Sequence, residues 1–432
     1  MSRFVIEGGH PLRGLFKPMG NKNAALPMIA ACLLTDEPLR LRNVPAIRDV
    51  DNLLRLLDDL GVAVSRQGHS VELCAAALRK TDLDPALCRS VRGSILLAGP
   101  LAARHGSATL HPPGGDVIGR RRLDTHFDGL RQLGIPMRRL GDAFRLLRSP
   151  AFAGADILLD EASVTATENI LMAAVLAPGI TVLLNAACEP HVQNLARLLV
   201  RMGADIDGIG TNRLVISGVP ALRGATFRID PDYIEIGSIL AAAAATRGSV
   251  EIAEIPEPVT LCVIQRLFSR LGVVTERRDA RYRLPPRQSL RIRPDLGGSI
   301  PKIEDGIWPA IPSDLLSVAL VLATQAKGDV LFFEKLFESR MYFVDRLLEM
   351  GARVVACDPH RVLVSGPAPL RAKHMTSPDI RAGMALIIAA LAADGTSVID
   401  NADMVDRGYE AIELRLRSLG ARHLVYRIED SF

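Results

Sequence analysis

The chain has 432 residues, 48% hydrophobic and 23% charged, which suits a soluble globular protein long enough for two ordinary cores. A net charge of +4 with only 4% aromatic residues argues against nucleic-acid binding through a basic face and stacking platforms, and leaves a local anion site as the better use of the excess charge. The apolar run MALIIAALAA at 384–393 is far too short to span a membrane, and MSRFVIEGGHP lacks the paired regions of a signal peptide.

The six cysteines (Cys32, Cys74, Cys88, Cys188, Cys262, Cys357) are scattered and form no CxxC pair, so reduced core cysteines in a cytoplasmic protein are expected. In chain order, strongly apolar helices are predicted at AALPMIAACLL, GSILLAGPLAA, NILMAAVLA, SILAAAAA, LLSVALVLA and GMALIIAALAA. Each leads through a small turn to a short strand such as ITVLLN or TSVID. A polar loop follows: NVPAIRD, PPGGDVIGRR, ACEPHVQ, IPEPVT, LFESRMY or ADMVDRG. A second, amphipathic helix then ends on Leu-Gly or Met-Gly, at Gly61, Gly134, Gly203, Gly272, Gly351 and Gly420. The intervals are 73, 69, 69, 79 and 69 residues, the mark of an internal repeat.

The first helix of each unit is apolar nearly all round and must be buried on every side, whereas the second covers a surface. One unit cannot bury such a helix alone, so three per domain and two domains are predicted. The break falls near Asp230-Pro231-Asp232, and residues 1–20 supply an extra strand to the far half. The domains expected are 21–230, carrying a mobile loop around Asp116, and 1–20 with 231–432. The chain crosses twice, and that makes a hinge.

Aligning the starts of the apolar helices (GNKNAAL, SVRGSIL, TATENIL, YIEIGSI, PSDLLSV, DIRAGMA) places Lys22, Arg92, Asp314 and Arg381 at equivalent N-termini. The second helices begin near Arg121, Arg340 and Arg407. A cation at a helix N-terminus opposes the positive end of the helix dipole unless an anion binds there. Six matched cations therefore predict a shared anion site. GIGTNR at 208–213 lacks the third glycine and the helix of a dinucleotide fingerprint. No His/Cys/Asp cluster has metal-ligand spacing, and no cofactor is expected.

GNKNAALP (20–27), NVPAIRDV (43–50), SVRGS (90–94), PPGGDVIGRRRLD (112–124), SVTATEN (163–169), PSD (312–314), FESR (337–340), DIRA (379–382) and DRGYE (406–410) resemble the UDP-N-acetylglucosamine enolpyruvyl transferases, across essentially the whole chain. The resemblance implies an α/β fold, a two-domain inside-out α/β prism of six βαβαββ repeats. It also implies transfer of the enolpyruvyl group of phosphoenolpyruvate to the 3-hydroxyl of UDP-N-acetylglucosamine with release of phosphate, in peptidoglycan precursor synthesis. On the same basis Lys22, Arg121 and Arg407 take phosphoenolpyruvate, and Arg92, Arg340 and Arg381 complete the cationic site. Asn23 and Asp314 hold the sugar, with Asp314 the candidate base, and Asp124 and Ser163-Val164 lie along the uridine part.

Many members of the family carry a cysteine where this chain has Asp116. A carboxylic acid can replace a thiol as general acid. The neighbouring arginines favour its ionised form; bound dianionic substrate, lid closure and desolvation are expected to favour the protonated one. The bland alternative is a pair between Asp116 and Arg120 or Arg122. Fosfomycin alkylates the loop cysteine in this family, so this chain is expected to be insensitive. Arg122, Glu161 and Thr165 depart from the family pattern where the nucleotide should lie, and the stretch 295–314, with Trp308 as a loop anchor, looks longer than usual. The departures leave open another nucleotide or sugar acceptor in specialised metabolism. A non-catalytic paralogue that binds UDP-sugars is the reading from a different class, and the joint presence of Lys22, Asp116, Asp314 and Arg407 speaks against it.

Overall fold

Six apolar segments form the interior of the chain in a computed structural model that describes residues 2–116, 118–278, 281–421 and 426–429. They are Lys22–Ala30, Arg92–Leu97 continuing into Ala98–His105, Val164–Ala174, Tyr233–Ala245, Ser313–Ala323 and Ile380–Ala392. Every residue of Tyr233–Ala245 is buried, as its run of alanines, isoleucines and leucine on all faces demands. Four of the six have a side-chain cap: Asn21, Ser163, Asp232 and Asp379 each accept from a first-turn amide. Such caps contribute about 1 kcal/mol each.

The second helices are amphipathic. Pro190–Arg201, for example, buries Val192, Leu195, Leu198 and Leu199 and exposes Val200. The six glycines of the repeat signal all adopt positive φ, between 83° and 107°. A residue just past a helix end enters the left-handed region, where only glycine is free of Cβ strain, so the repeat is visible as a glycine period.

Two units result. One comprises Gly20–Gly115 and Arg121–Asp230, here the amino-half unit; the other comprises Met1–Met19, Asp116–Arg120 and Pro231–Phe432, the carboxyl-half unit. The amino-half unit holds two four-stranded sheets and one three-stranded sheet. In the latter a single parallel bridge from Asp82 to Thr109 stands where the other sheets have a parallel strand. The carboxyl-half unit holds three four-stranded sheets around the mutually packed helices Tyr233–Ala245, Ser313–Ala323 and Ile380–Ala392.

The N-terminal segment supplies two strands rather than one: Ser2–Glu7 pairs antiparallel with Thr396–Asp400, and Arg13–Phe16 runs parallel to Ser249–Ile252. Residues 116–120, expected with the amino half, group with the carboxyl half. Ser339 donates to the Ile118 carbonyl at 3.1 Å, and the Arg120 amide reaches Glu338 Oε2 at 3.3 Å. The chain thus passes between units at four points, not two.

Other expectations change in detail. The segment carrying Arg92 begins as a 3-10 helix, and the second helices start at Asp124, Val344 and Ile412, a few residues after Arg121, Arg340 and Arg407. Cys32, Cys88 and Cys188 are buried, but Cys262 and Cys357 are exposed. Trp308 is 7% exposed and packs 6.1 Å from the Tyr233 ring, the loop anchor expected of it. Among the described residues no helix is long and apolar enough to cross a membrane.

Candidate active site

In the carboxyl-half unit two of the candidate residues, Asp314 and Arg381, stand in the first turns of inner helices. Asp314 is the second residue of Ser313–Ala323. Its Oδ1 accepts from Arg340 Nη2 at 3.1 Å and its Oδ2 from Arg381 Nη2 at 2.8 Å. Both arginines are buried, and Arg381 lies over the Tyr409 ring at 5.4 Å. Burial alone would lower the Arg381 pKa; Asp314, with Tyr409 and Asp232 adding to it, outweighs burial and drives the pKa above the ordinary range. Arg340 Nε and Arg381 Nη1 are buried without a hydrogen-bond partner among the described residues, so donors remain for a ligand.

Behind Asp314, the Ser313 hydroxyl sits 2.9 Å from both oxygens of Glu334. Burial, and next a hydrogen bond with the carboxyl of Asp305, push Glu334 up to about 8.

Asp116 also belongs to this unit. Its Oδ1 accepts from Arg407 Nη1 at 2.7 Å, with the two side chains only 15% and 14% exposed. Neither Arg120 nor Arg122 is its partner in that bond, so the local pairing considered for Asp116 is replaced by one 291 positions away. Asp379, which caps Ile380–Ala392, is raised by burial first, and the charge of Asp116 adds to the effect.

In the amino-half unit Lys22 opens its helix, buried, with Nζ 2.7 Å from Asp49 Oδ2. Arg92 donates from Nη2 to the Arg121 carbonyl at 3.0 Å. Its Nε is buried and unbonded among the described residues. Burial, then the charge of Arg121, pull Arg92 down to about 10. Two guanidinium groups held together in partial burial are what an anion site needs before its anion arrives.

The glycines before Asp116 serve this arrangement statically. A Cβ at Gly114 would collide with the Arg89 carbonyl; at Gly115, where φ is +127°, it would lie 3.2 Å from Arg121 Nη1.

The remaining expected residues also belong to the amino-half unit. Asn23 is half-buried in the first turn of Lys22–Ala30. Ser163 caps Val164–Ala174 and Val164 is its first residue. Asp124 is exposed and 3.4 Å from Arg122 Nε. Arg122 Nη2 pairs with Asp160 at 2.7 Å, and Thr125 donates to Asp160 at 2.7 Å, with Glu161 3.3 Å away. The three departures from the family pattern thus belong to one polar neighbourhood around Thr125, His126 and Thr165.

Sequence reasoning missed Asp49, Glu334, Asp379, Tyr409 and His126. Asp379 could have been found: an Asp directly before the apolar run IRAGMALIIAALA reads as a helix N-cap. Asp49 and Glu334 carry no local signal, because their partners are 27 and 21 residues away.

The profile of the family described as EPSP synthase (3-phosphoshikimate 1-carboxyvinyltransferase) matches residues 6–416. The chain is 54% identical over 422 residues to the UDP-N-acetylglucosamine 1-carboxyvinyltransferase of Bradyrhizobium diazoefficiens, covering 97% of each. The enzyme of that name from Treponema pallidum is 49% identical over 98% of this chain and 99% of its own. Among solved structures, the enolpyruvyl transferase NikO from Streptomyces tendae shares the fold with a TM-score of 0.87 at 23% identity, over 99% of this chain and 98% of that one. An EPSP synthase from Acinetobacter baumannii does so at 0.76 and 16%, over 99% and 100%. With a profile match and a relative of 54% identity across nearly its full length, the chain belongs to the enolpyruvyl transferase family of EPSP synthase, among its UDP-N-acetylglucosamine 1-carboxyvinyltransferases.

Proposed function

We propose that this chain transfers the enolpyruvyl group of phosphoenolpyruvate to the 3-hydroxyl of UDP-N-acetylglucosamine, releasing phosphate, in the cytoplasm, as a step of peptidoglycan precursor synthesis. The observation that carries the reading is the Asp116–Arg407 pair: an acid resting on a cation that a substrate dianion would claim. When phosphoenolpyruvate takes Arg407, Asp116 loses its countercharge and becomes the proton carrier of the reaction.

The chemistry is addition followed by elimination. The sugar hydroxyl oxygen bonds to C2 of phosphoenolpyruvate while Asp116 gives a proton to the methylene carbon and Asp314 takes the hydroxyl proton. Asp314 suits this role because its carboxylate, fixed by two arginines, keeps lone pairs for one more hydrogen. A proton then returns from the new methyl group to the Asp116 carboxylate, the C–O bond to phosphate breaks with release of inorganic phosphate, and the enolpyruvyl ether remains. Lys22, Arg121 and Arg407 hold the phosphate and carboxylate, and Arg92, Arg340 and Arg381 supply further positive charge where negative charge develops. Asn23 and Asp314 hold the sugar, and Asp124, Ser163 and Val164 the uridine part.

Phosphate release from phosphoenolpyruvate tests the reading, with UDP-N-acetylglucosamine, UMP, shikimate 3-phosphate or no acceptor. Release with UDP-N-acetylglucosamine alone is expected. Release with another acceptor would reassign the substrate, and none with any of them would overturn the reading. Fosfomycin is expected to leave the activity intact, because a carboxylate is a far weaker nucleophile than a thiolate. An adduct on Asp116 in the intact mass would contradict this.

A further inference from the structure

A buried polar chain in the amino-half unit plays no part in the chemistry just described. The Gly99 amide donates to Asn169 Oδ1 at 2.6 Å. Asn169 Nδ2 donates to the Ile95 carbonyl at 2.9 Å and lies 3.1 Å from His126 Nδ1. His126 Nε2 is 3.0 Å from Thr165 Oγ1. Asn169 and His126 are fully buried, while Thr165 is half-buried in the first turn of Val164–Ala174.

The direction of every hydrogen in this chain follows from its first link. The Gly99 amide can only donate, so Asn169 must present oxygen to it. Turning the amide over would set two donors against each other in a buried space. Glycine is required for the approach, since a Cβ at position 99 would collide with Asn169. Both amide hydrogens of Asn169 then point at acceptors, the Ile95 carbonyl and His126 Nδ1. An accepting Nδ1 makes His126 neutral with its proton on Nε2. Burial, followed by the charge of Arg92, agrees by pulling His126 down to about 3. Nε2–H therefore donates to Thr165. The Thr165 hydroxyl hydrogen cannot point back, and His126 is its sole hydrogen-bond partner among the described residues.

The geometry points to Thr165 as a specificity-determining residue: a hydroxyl of fixed polarity that donates to a phosphate oxygen of the nucleoside diphosphate. The inference rests on the proposed function, which lays the nucleotide along Ser163 and Val164 at the start of the same helix. A phosphate oxygen is the fitting partner because it only accepts and carries charge, which strengthens the bond. A ribose hydroxyl can present its own hydrogen and gains less from a forced donor. Asn169 and His126 act through Thr165 and are positioning residues.

Thr165→Val keeps the branched shape and removes the hydroxyl, and Thr165→Ser restores it. Titration with UDP and with uridine, with kinetics and unfolding midpoints of the same proteins, reads the outcome. Thr165→Val is expected to weaken UDP and raise KM for UDP-N-acetylglucosamine about tenfold. Uridine binding and KM for phosphoenolpyruvate stay put, and Thr165→Ser recovers. Unchanged UDP affinity in a folded Thr165→Val overturns the inference. Because that variant strands the His126 Nε2–H, the wild type is read independently by nitrogen-15 NMR. A neutral His126 protonated on Nε2 supports the chain of hydrogens, and a proton on Nδ1 overturns it. Wild type that binds UDP with the expected Thr165 dependence but releases no phosphate overturns the proposed function alone. Wild type that does not bind UDP overturns both.

Discussion

The two units solve the problem of burying arginine in opposite ways. In the carboxyl half, Arg340 and Arg381 grip one carboxylate, Asp314, and Arg407 holds Asp116. In the amino half, Arg92 faces another cation, Arg121, and is pulled down to about 10 by burial and by that neighbour. A compensated cluster is a structural element whose charges position a reactive group. Like charges held side by side are stabilised further when an anion arrives. The difference teaches where each unit should fail when a single charge is removed.

The largest effect is expected at Asp314. Asp314→Ala strands two buried guanidinium groups and should destabilise the carboxyl half by about 3 kcal/mol. Loss of the proposed base should lower kcat by roughly 10²–10⁴-fold. Denaturant unfolding and phosphate release check the two parts separately. Arg92→Met should do the reverse in the amino half. Stability without ligand stays level or rises, while KM for phosphoenolpyruvate increases by about tenfold or more, as loss of a charged hydrogen bond does. If Arg92→Met destabilised the protein as much as Asp314→Ala, the contrast between the units would be broken.

Acid and base sensitivity sharpen the comparison. Glu334 is raised from 4.5 to about 8, so the folded chain holds a proton the unfolded chain has lost. Its contribution is complete below pH 4.5, falls as pH rises, and is gone above about 8. His126 is lowered from 6.5 to about 3, so its contribution is complete above 6.5 and is lost as pH falls toward 3. Hydrogen exchange of the inner helices across this range should show the carboxyl half loosening on the alkaline side in a way that Glu334→Gln reduces, with Glu235 and Asp379, both raised by burial, supplying the rest. The amino half should loosen on the acid side, with buried Glu168 and Glu189, both raised by burial, adding an alkaline slope of their own. The smallest effect belongs to Arg122→Ala, whose exposed pair with Asp160 should be worth less than about 1 kcal/mol in thermal unfolding.

What the sequence disclosed has a physical reason. The inner helices announce themselves because a helix buried on every side must be apolar on every side, as Tyr233–Ala245 is. The Leu-Gly period survives because the end of a helix needs positive φ. The cations at matched helix starts were legible for the same reason, being tied to a repeated local position. What stayed hidden depends on tertiary partners. The Asp116–Arg407 bond spans 291 positions, and the Gly99–Asn169–His126–Thr165 chain joins three helices, with only Thr165 and Asn169 on the same one. The grouping of residues 116–120 with the carboxyl half follows from bonds to Ser339, Glu338 and Arg407, none of which has a local signature. Thr165 looked like a simple departure from glycine until His126 gave its hydroxyl a direction.

The central claim is that a proton reaches the methylene carbon of phosphoenolpyruvate and that Asp116 brings it. Mass spectrometry of the product formed in deuterium oxide tests it most directly. Addition followed by elimination passes through a methyl group, so wild type should place solvent deuterium in the vinyl group of the enolpyruvyl product, and Asp116→Asn should lose both incorporation and turnover by about two orders of magnitude or more. Product free of deuterium from wild type, or full incorporation by Asp116→Asn, would contradict the account.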